Sequence, residues 1–395
     1  MDTLREFVAT LLEHEGAVVE SEGTDGLVVL SPPALREVMR WPELIWLEFG
    51  PEPRANSIRV GLEGDWLEKF GTLVGERGRW AERQLVLSEP WPAPRAPERI
   101  LEHALDLPNA TWRFQKMIPA WTRCLILAFH YTAISDEKRE GLVWLGLNLG
   151  TGAMLGDLVV RLRTLLAEND DWQVPEPALL EKAAPRWTTA ALVRRVQPMV
   201  DHLVRQELAP FLGAMHRRLE RDGDRVHAYH DDLRALALKR LAALDGVQGE
   251  KAEADRQRER ARVAAIEGEY RAKLEDLRHN YALSVTVAGV QALELLMPVQ
   301  RIEVLIRRRK SERTIVLDWY PALRSAEPPL CEWGLGLGRT RVVCDASLHL
   351  TEPAGQKPCA ACAARWCRAC HPRSCPKCGA AHASSGNAAG GNWSC

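Results

Sequence analysis

Three observations predict an α+β chain assembled from several units. Short apolar periods alternate between helix and strand through the first 185 residues, a long helical texture runs from Thr188 to Tyr281, and three Cys-x-x-Cys pairs recur every eight residues between Cys359 and Cys378. The division that follows is an N-terminal α+β domain over 1–90, a second α+β domain over 98–185 and a long antiparallel coiled-coil hairpin over 186–281, inserted before a small β-sheet over 282–325. A cysteine module over 326–382 and a disordered tail over 383–395 complete it. A chain of 395 residues has room for two or three domains, and with 46% hydrophobic residues and 14 Trp it builds real cores, so most of the Trp are expected to be structural.

Leu4, Phe7, Val8, Leu11 and Leu12 fall on one face of an opening helix, which Gly16 stops. Ala17–Glu20 and Leu27–Leu30 read as a hairpin over Gly23-Thr-Asp-Gly26, since Asp-Gly provides the positive φ of a tight turn. Pro32-Pro33 opens a second helix where a missing N–H costs nothing. Leu44–Phe49 and Ser57–Leu62 return to strand, and Trp66–Trp80 to helix. Pro90, Pro92, Pro94 and Pro97 make a stiff linker and the first expected boundary.

In the second unit, strands Trp121–Tyr131 and Leu142–Leu149 flank the charged connector Ser135–Glu140. The second strand is apolar on both faces and is expected at the centre of a sheet. Cys124 and His130 share a face of the first strand, but six residues at 3.3 Å each put them about 20 Å apart. A nucleophile and its base must meet at about 3 Å, so this pair is not one. No P-loop, GxSxG, HExxH or GxGxxG stands in strand-turn-helix context, and Gly334-Leu-Gly-Leu-Gly338 lacks the helix whose N-terminus would hold phosphate. The chain is therefore read as a non-enzyme.

Met215, Leu219, Asp222, Val226, Tyr229, Leu233 and Leu236 step by four and three, a heptad seam with a kink or break expected at Gly223. After Asp245-Gly-Val-Gln-Gly249 a second helix carries Val263, Ile266, Tyr270, Leu274, Leu277 and Tyr281. Two seams and a short glycine loop describe an antiparallel hairpin whose arms of about 30 residues reach roughly 45 Å. From Glu250 to Arg278 eight basic residues balance eight acidic ones, the pattern of a solvated spacer or partner-docking arm. Beyond it the period becomes two: Leu283–Val287, Ile302–Ile306 and Thr314–Asp318 read as strands of a small sheet. Between the last two, Arg307, Arg308, Arg309, Lys310 and Arg313 form either a solubilising turn or a phosphate-contacting patch.

Each Cys-x-x-Cys turn points two thiolates at one ion, and two such turns complete the tetrahedral shell of zinc. One or two Zn2+ are expected on Cys359, Cys362, Cys367, Cys370, Cys375 and Cys378 with Cys331 and Cys344. In one scheme Cys359/Cys362 join Cys375/Cys378, and Cys331 and Cys344 complete the shell of Cys367/Cys370. In the other, Cys331 and Cys344 join Cys359/Cys362, and the last two pairs share an ion. His371 and His382 stand by as spare ligands, and Cys395 is expected to be free. An all-cysteine shell leaves no position for a reactive water. The opening Met-Asp-Thr-Leu-Arg-Glu-Phe has neither a basic leader nor an apolar h-region, so a cytoplasmic setting with reduced thiols is expected.

Lys plus Arg number 52 against 53 Asp plus Glu, so a nucleic-acid partner would have to be met by a local patch. The longest clean apolar run, Leu142–Leu147, is far short of the roughly 20 residues that cross a bilayer, and no membrane partner is expected. The helix-hairpin-Pro-Pro pattern over Leu4–Leu35, Phe129–Glu140, the charged hairpin, and Asp318-Trp-Tyr-Pro followed by cysteines together resemble a group of bacterial proteins of unknown function, often encoded next to Swi/Snf-type helicases, that end in a zinc-ribbon-like cysteine module. In that group the cysteine after the Pro is often half of a pair, whereas Cys331-Glu-Trp-Gly334 lacks the second member. The resemblance implies a helicase or other nucleic-acid machine as protein partner. The expected function is a zinc-binding adaptor that docks such a partner, with direct sequence-independent nucleic-acid binding as the alternative.

Overall fold

The structure, a computed structural model, describes residues 2–50, 56–61, 64–75, 79–86, 93–168 and 172–381. The 383–395 tail with Cys395, His382, and Pro90 and Pro92 of the expected linker lie outside the described residues. The chain divides into two compact units, Met1–Arg79 and Trp80–Cys395.

In the first unit α1 (Asp2–His14) precedes the hairpin of β1 (Val18–Glu22) and β2 (Gly26–Leu30), which pairs Val18 with Leu30 and Glu22 with Gly26. The positive φ of the turn falls on Gly23. Gly26 is needed for space instead: a Cβ there would lie 2.6 Å from the Glu22 carbonyl. Then come α2 (Pro33–Met39), β3 (Leu44–Glu48) antiparallel to β2, β4 (Ser57–Arg59) parallel to β3, and α3 (Trp66–Val74). The amphipathic face of α1 buries Val8 and Leu12 against Val29, Leu47 and Phe70. Gly75, at φ 53°, ends α3 and leaves Trp80 to begin a strand, so the helix is shorter than its apolar pattern implied.

That strand, β5 (Trp80–Leu85), belongs to the second unit, because it pairs with a strand more than 200 residues later. After it come α4 (Pro97–Ala104), β6 (Thr111–Ile134), β7 (Lys138–Asn148), α5 (Leu158–Glu168), β8 (Trp172–Gln173) and α6 (Pro177–Lys182). The long helices α7 (Thr189–Ala243) and α8 (Glu250–Asn280) follow, then β9 (Ser284–Arg308), β10 (Ser311–Tyr320), β11 (Ser325–Ala326), β12 (Val342–Val343) and β13 (Leu350–Thr351).

The sheet is organised on β9. One edge pairs antiparallel with β6 along nearly its whole length, from Ser284↔Ile134 to Arg307↔Thr111. The other takes β5 in parallel over Ala292–Leu296 and then β10 antiparallel over Gln300–Arg308, with Pro298 in the gap where no ladder bond is lost. The expected strands at 283–287 and 302–306 are thus two ends of one 25-residue strand. Its middle, Leu293–Gln300, is buried without a break, so no period of two marks it, and Gly289 and Pro298 imitate interruptions. One face carries Cys124, Ile126, Leu295 and Met297 against α5; the other carries Leu127, Phe129, Leu145 and Leu147 against Val196, Val200 and Val204 of α7.

Beyond Met215, α7 leaves the sheet and meets α8. Contacts run in opposite order along the two helices: Asp222 with Tyr281, His227 with Tyr270, Arg234 with Glu267, and the Leu244 carbonyl with Arg256. The helix passes through Gly223 without the expected break. Its inward positions are Met215, Leu219, Asp222, Val226, His230, Leu233, Ala237 and Leu241. After Val226 the spacing departs from the heptad, so Tyr229 and Leu236, expected in the seam, are 59% and 45% exposed. Steps of four, three and four repeat every eleven residues, which keeps the contact line nearly straight along a helix of 3.6 residues per turn. Cysteines placed at Val226 and Leu274 are expected to be joined within one chain by a short bifunctional maleimide; joining only between chains would mean that the arms pair in a dimer. Among the described residues no helix is long and apolar enough to cross a membrane.

Candidate metal centre

Two tetrads of ligand atoms lie at the C-terminal end of the described chain. Cys344, His349, Cys367 and Cys370 form one; Cys359, Cys362, Cys375 and Cys378 form the other, and within each tetrad all ligand atoms fall within 4.8 Å of one another. In sequence the ligand pairs alternate between the sites: first, second, first, second. The two shells therefore cross-brace the segment, each enclosing a ligand pair of the other within its loop.

Local backbone chemistry positions each pair. Cys344 follows β12 and His349 precedes β13, so these ligands close a short hairpin whose Val343 and Leu350 are buried with Ile302, Val304 and Leu317 of the main sheet. The next three pairs repeat one turn: the N–H of residue i+4 donates to the Cys i carbonyl in Ala363→Cys359, His371→Cys367 and Gly379→Cys375, at 2.9, 3.1 and 2.9 Å. Ala363 and Gly379 take the left-handed conformation at φ 57° and 72°, and Leu348 does so at 54° in the first hairpin. Glycine stands at only one of these three positions, which is why the chain does not advertise them as equivalent turns.

The geometry suits a tetrahedral ion. Metal–sulfur bonds of about 2.3 Å imply sulfur–sulfur edges of about 3.8 Å. Cys359–Cys378 and Cys362–Cys375 are 3.7 Å apart and Cys344–Cys370 3.9 Å, while His349 Nδ1 lies 3.2 Å from Cys370 Sγ and 3.9 Å from Cys367 Sγ. These separations are far beyond the roughly 2.05 Å of a disulfide. Backbone donors prepare the sulfurs to ionise: Ser347 and His349 N–H groups point at Cys344 Sγ, and amides of Cys362 and Ala361 hold the Cys359 thiol below its ordinary range. Burial opposes ionisation at Cys375, yet the amides of Cys378 and Lys377 bring it down to about 7. The Ala380 amide favours the Cys378 thiolate, but protons shared with Cys362, Cys359 and Cys375, together with loss of solvent, push this thiol up to about 12. Four thiols at this spacing cannot all ionise without a cation between them.

Of the two pairing schemes, the ribbon-like grouping of Cys359/Cys362 with Cys375/Cys378 matches the structure. Cys331 does not belong to either tetrad. Its Sγ donates to the Trp333 carbonyl at 2.9 Å, burial pushes its thiol up, and its own carbonyl accepts from Arg195 of α7 at 2.8 Å. His349 takes the place expected for Cys331. The signal for it was present as Cys344-x4-His349, a fourth ligand pair ahead of the knuckles. His371 is outside both tetrads.

The expected phosphate patch lies against this module. Arg308 Nε and Arg309 Nη2 hold Asp345, beside ligand Cys344, at 2.5 and 2.9 Å, and Arg308 also donates to the Asn109 carbonyl. Arg313 makes a two-pronged bond to Glu332 and a third to the Leu348 carbonyl. Arg307 lies 3.6 Å from Glu312, and among the described residues Lys310 carries no ion pair. Most of the patch thus clamps the Cys344–His349 loop onto the β9–β10 turn. Arg368, bonded to the Ala354 and Lys357 carbonyls and stacked near Trp333 and Trp366, ties down the other side.

Compared with family models, with curated proteins and with solved structures, the chain gives no match. Cys124 and His130 have separate partners: Cys124 donates to the Tyr320 hydroxyl at 3.6 Å, while His130 faces Glu140 at 3.9 Å.

Proposed function

We propose that this chain is a non-enzymatic zinc-binding adaptor, acting in the cytoplasm, whose metal module and projecting hairpin dock a protein partner, a Swi/Snf-type helicase or other nucleic-acid machine. The observation that carries the reading is the cross-braced pair of complete shells. Each tetrad supplies four protein ligands, so a tetrahedral zinc in either would have no open position for water or substrate. Such ions stabilise a shape. The hairpin supports the same reading, since some 30 residues of each arm extend past the sheet with balanced charge.

Direct nucleic-acid binding through the basic turn is the weaker alternative, because Arg308 and Arg309 share Asp345 and Arg313 pairs with Glu332, which offsets two of their three charges. Zinc deepens the local negative charge: three thiolates and an imidazole around Zn2+ leave about one negative charge, four thiolates about two. The expected result is duplex DNA binding weaker than about 1 μM at physiological salt. Ser at Arg307, Arg308, Arg309 and Lys310 together should leave that affinity unchanged and retain co-purification with a helicase encoded beside the chain. Tight binding in the wild type, with the salt slope flattened by about 0.7 to 0.9 per lost contact in the variant, would establish the alternative.

A further inference from the structure

The sheet face that meets the first half of α7 is incompletely filled. Leu125, Leu127 and Phe129 of β6 and Leu192, Val196 and Val200 of α7 line a solvent-open cavity of about 520 Å3, with Trp80 and Trp187 also in its wall. That volume falls within the range of small-molecule sites. Arg123 and Glu294 are the only charged side chains among its described lining residues. They arrive on the same face for a reason of register: Arg123 and Leu125 alternate along β6, and Glu294 stands opposite Leu125 on β9.

Glu294 is 3% exposed and accepts from Arg123 Nε. Among the described residues the Nη1 and Nη2 groups of Arg123 have no protein partner, and the side chain remains 21% exposed. A buried acid therefore fixes the guanidinium by Nε and leaves its Nη groups without a protein partner at the edge of a mostly apolar cavity. Two parallel N–H donors in that arrangement match a carboxylate. Thr189, in the first turn of α7, lines the same cavity, and no acidic residue stands in that turn to oppose a negative charge.

We propose that this cavity binds a small amphipathic carboxylate, its hydrocarbon or aromatic body against the β6 and α7 side chains and its carboxylate on Arg123 Nη1 and Nη2. The Arg123–Glu294 pair is neutral overall, so apolar burial supplies the bulk of the affinity and the guanidinium supplies discrimination. Glu294 is a positioning residue: it holds Arg123 in place and does not touch the ligand.

The test uses the full-length, metal-loaded protein and two probes of nearly equal apolar area, octanoate and 1-octanol, followed by Trp fluorescence and titration calorimetry. Octanoate is expected to bind at one site with Kd below about 1 mM, within the range open to a ligand of this size. Octanol should bind about tenfold or more weakly, as befits loss of a charge-assisted hydrogen bond. Arg123→Met should bring the two affinities together, and Val193→Trp, at a 58% exposed position on the wall, should weaken both while the fold is retained. Absence of saturable octanoate binding by the wild type, or octanol binding as tightly as octanoate, overturns the proposal without any variant. An unchanged acid-to-alcohol ratio in folded Arg123→Met would overturn the role of the guanidinium, and the carboxylate assignment with it.

Discussion

Cys367→Ser is expected to release one zinc ion and loosen the other, whereas Cys378→Ser should release one and leave the other almost undisturbed. The asymmetry follows from the cross-brace. Cys367 and Cys370 sit between Cys362 and Cys375, so breaking their site frees the loop that closes the second tetrad. Closing a longer free loop costs entropy, and the second ion must then order that loop alone. Losing Cys378 does not propagate in the same way, since Cys344 and His349 are held by a hairpin whose Val343 and Leu350 are packed on the main sheet. Structural zinc contributes roughly 10 to 16 kcal/mol of apparent binding free energy at pH 7, so removal of both ions by chelation should unfold residues after about 344 while the sheet persists. Zinc content should fall from two per chain to one in Cys378→Ser and below one in Cys367→Ser, with faster proteolysis of the module in the latter. Equal retention of a single ion of equal affinity in the two variants would show that the sites are independent. Less than half a zinc in the untreated wild type would remove the zinc assignment itself.

The parts of this site that could be read from sequence are those in which spacing alone encodes geometry. Cys-x-x-Cys turns announce a pair of ligands aimed at one point, and three of them at an eight-residue repeat announce metal. Spacing does not encode which pairs converge, because that depends on Cys344–His349 being held against β9 and β10 by Arg308, Arg313 and the buried Val343. Cys331 looked like a ligand by number, while a carbonyl bond to Arg195 binds it elsewhere. The hairpin's existence was legible from its long period and glycine loop, but the register after Val226 was not: Tyr229 and His230 are both plausible inward residues, and α8 selects the histidine. The 25-residue β9 was hidden for the opposite reason, since a segment buried on both faces carries no alternation.

A buried polar network that no motif announces yields the second large expectation. The two N–H groups of Asn148 Nδ2 are shared among Asp318 at 2.8 Å, the Tyr320 hydroxyl at 3.0 Å and Glu327 at 2.7 Å, its Oδ1 accepts from Thr122 at 2.7 Å, and Arg301 pairs with Asp318 at 2.8 Å. Asn148, Asp318, Tyr320 and Glu327 are fully buried. Burial first, and then the Asp318 carboxylate, push Glu327 up to about 8, so it carries a proton in the folded chain at neutral pH. An acid whose folded value is raised contributes stability that is fully present below its unfolded value and is lost as pH rises through the folded value. From the ordinary 4.5 to about 8 this amounts to something on the order of 4 to 5 kcal/mol, at 1.36 kcal/mol per unit. Glu332, held below its ordinary range despite burial by Arg313 and the Leu350 amide, acts in the opposite sense, and metal release adds to its effect in acid. Subtracting a variant isolates Glu327. Glu327→Gln cannot ionise and keeps an oxygen for the Asp318 N–H, so relative to wild type it should gain stability steadily between pH 5 and 8 and level off above that. Asn148→Leu, by contrast, should cost about 3 to 5 kcal/mol by leaving the two carboxyl groups without their shared donor. Denaturant unfolding of the second unit, followed by Trp fluorescence at each pH, reads both effects, and parallel wild-type and Glu327→Gln curves from pH 5 to 9 would show that Glu327 is ionised in the fold.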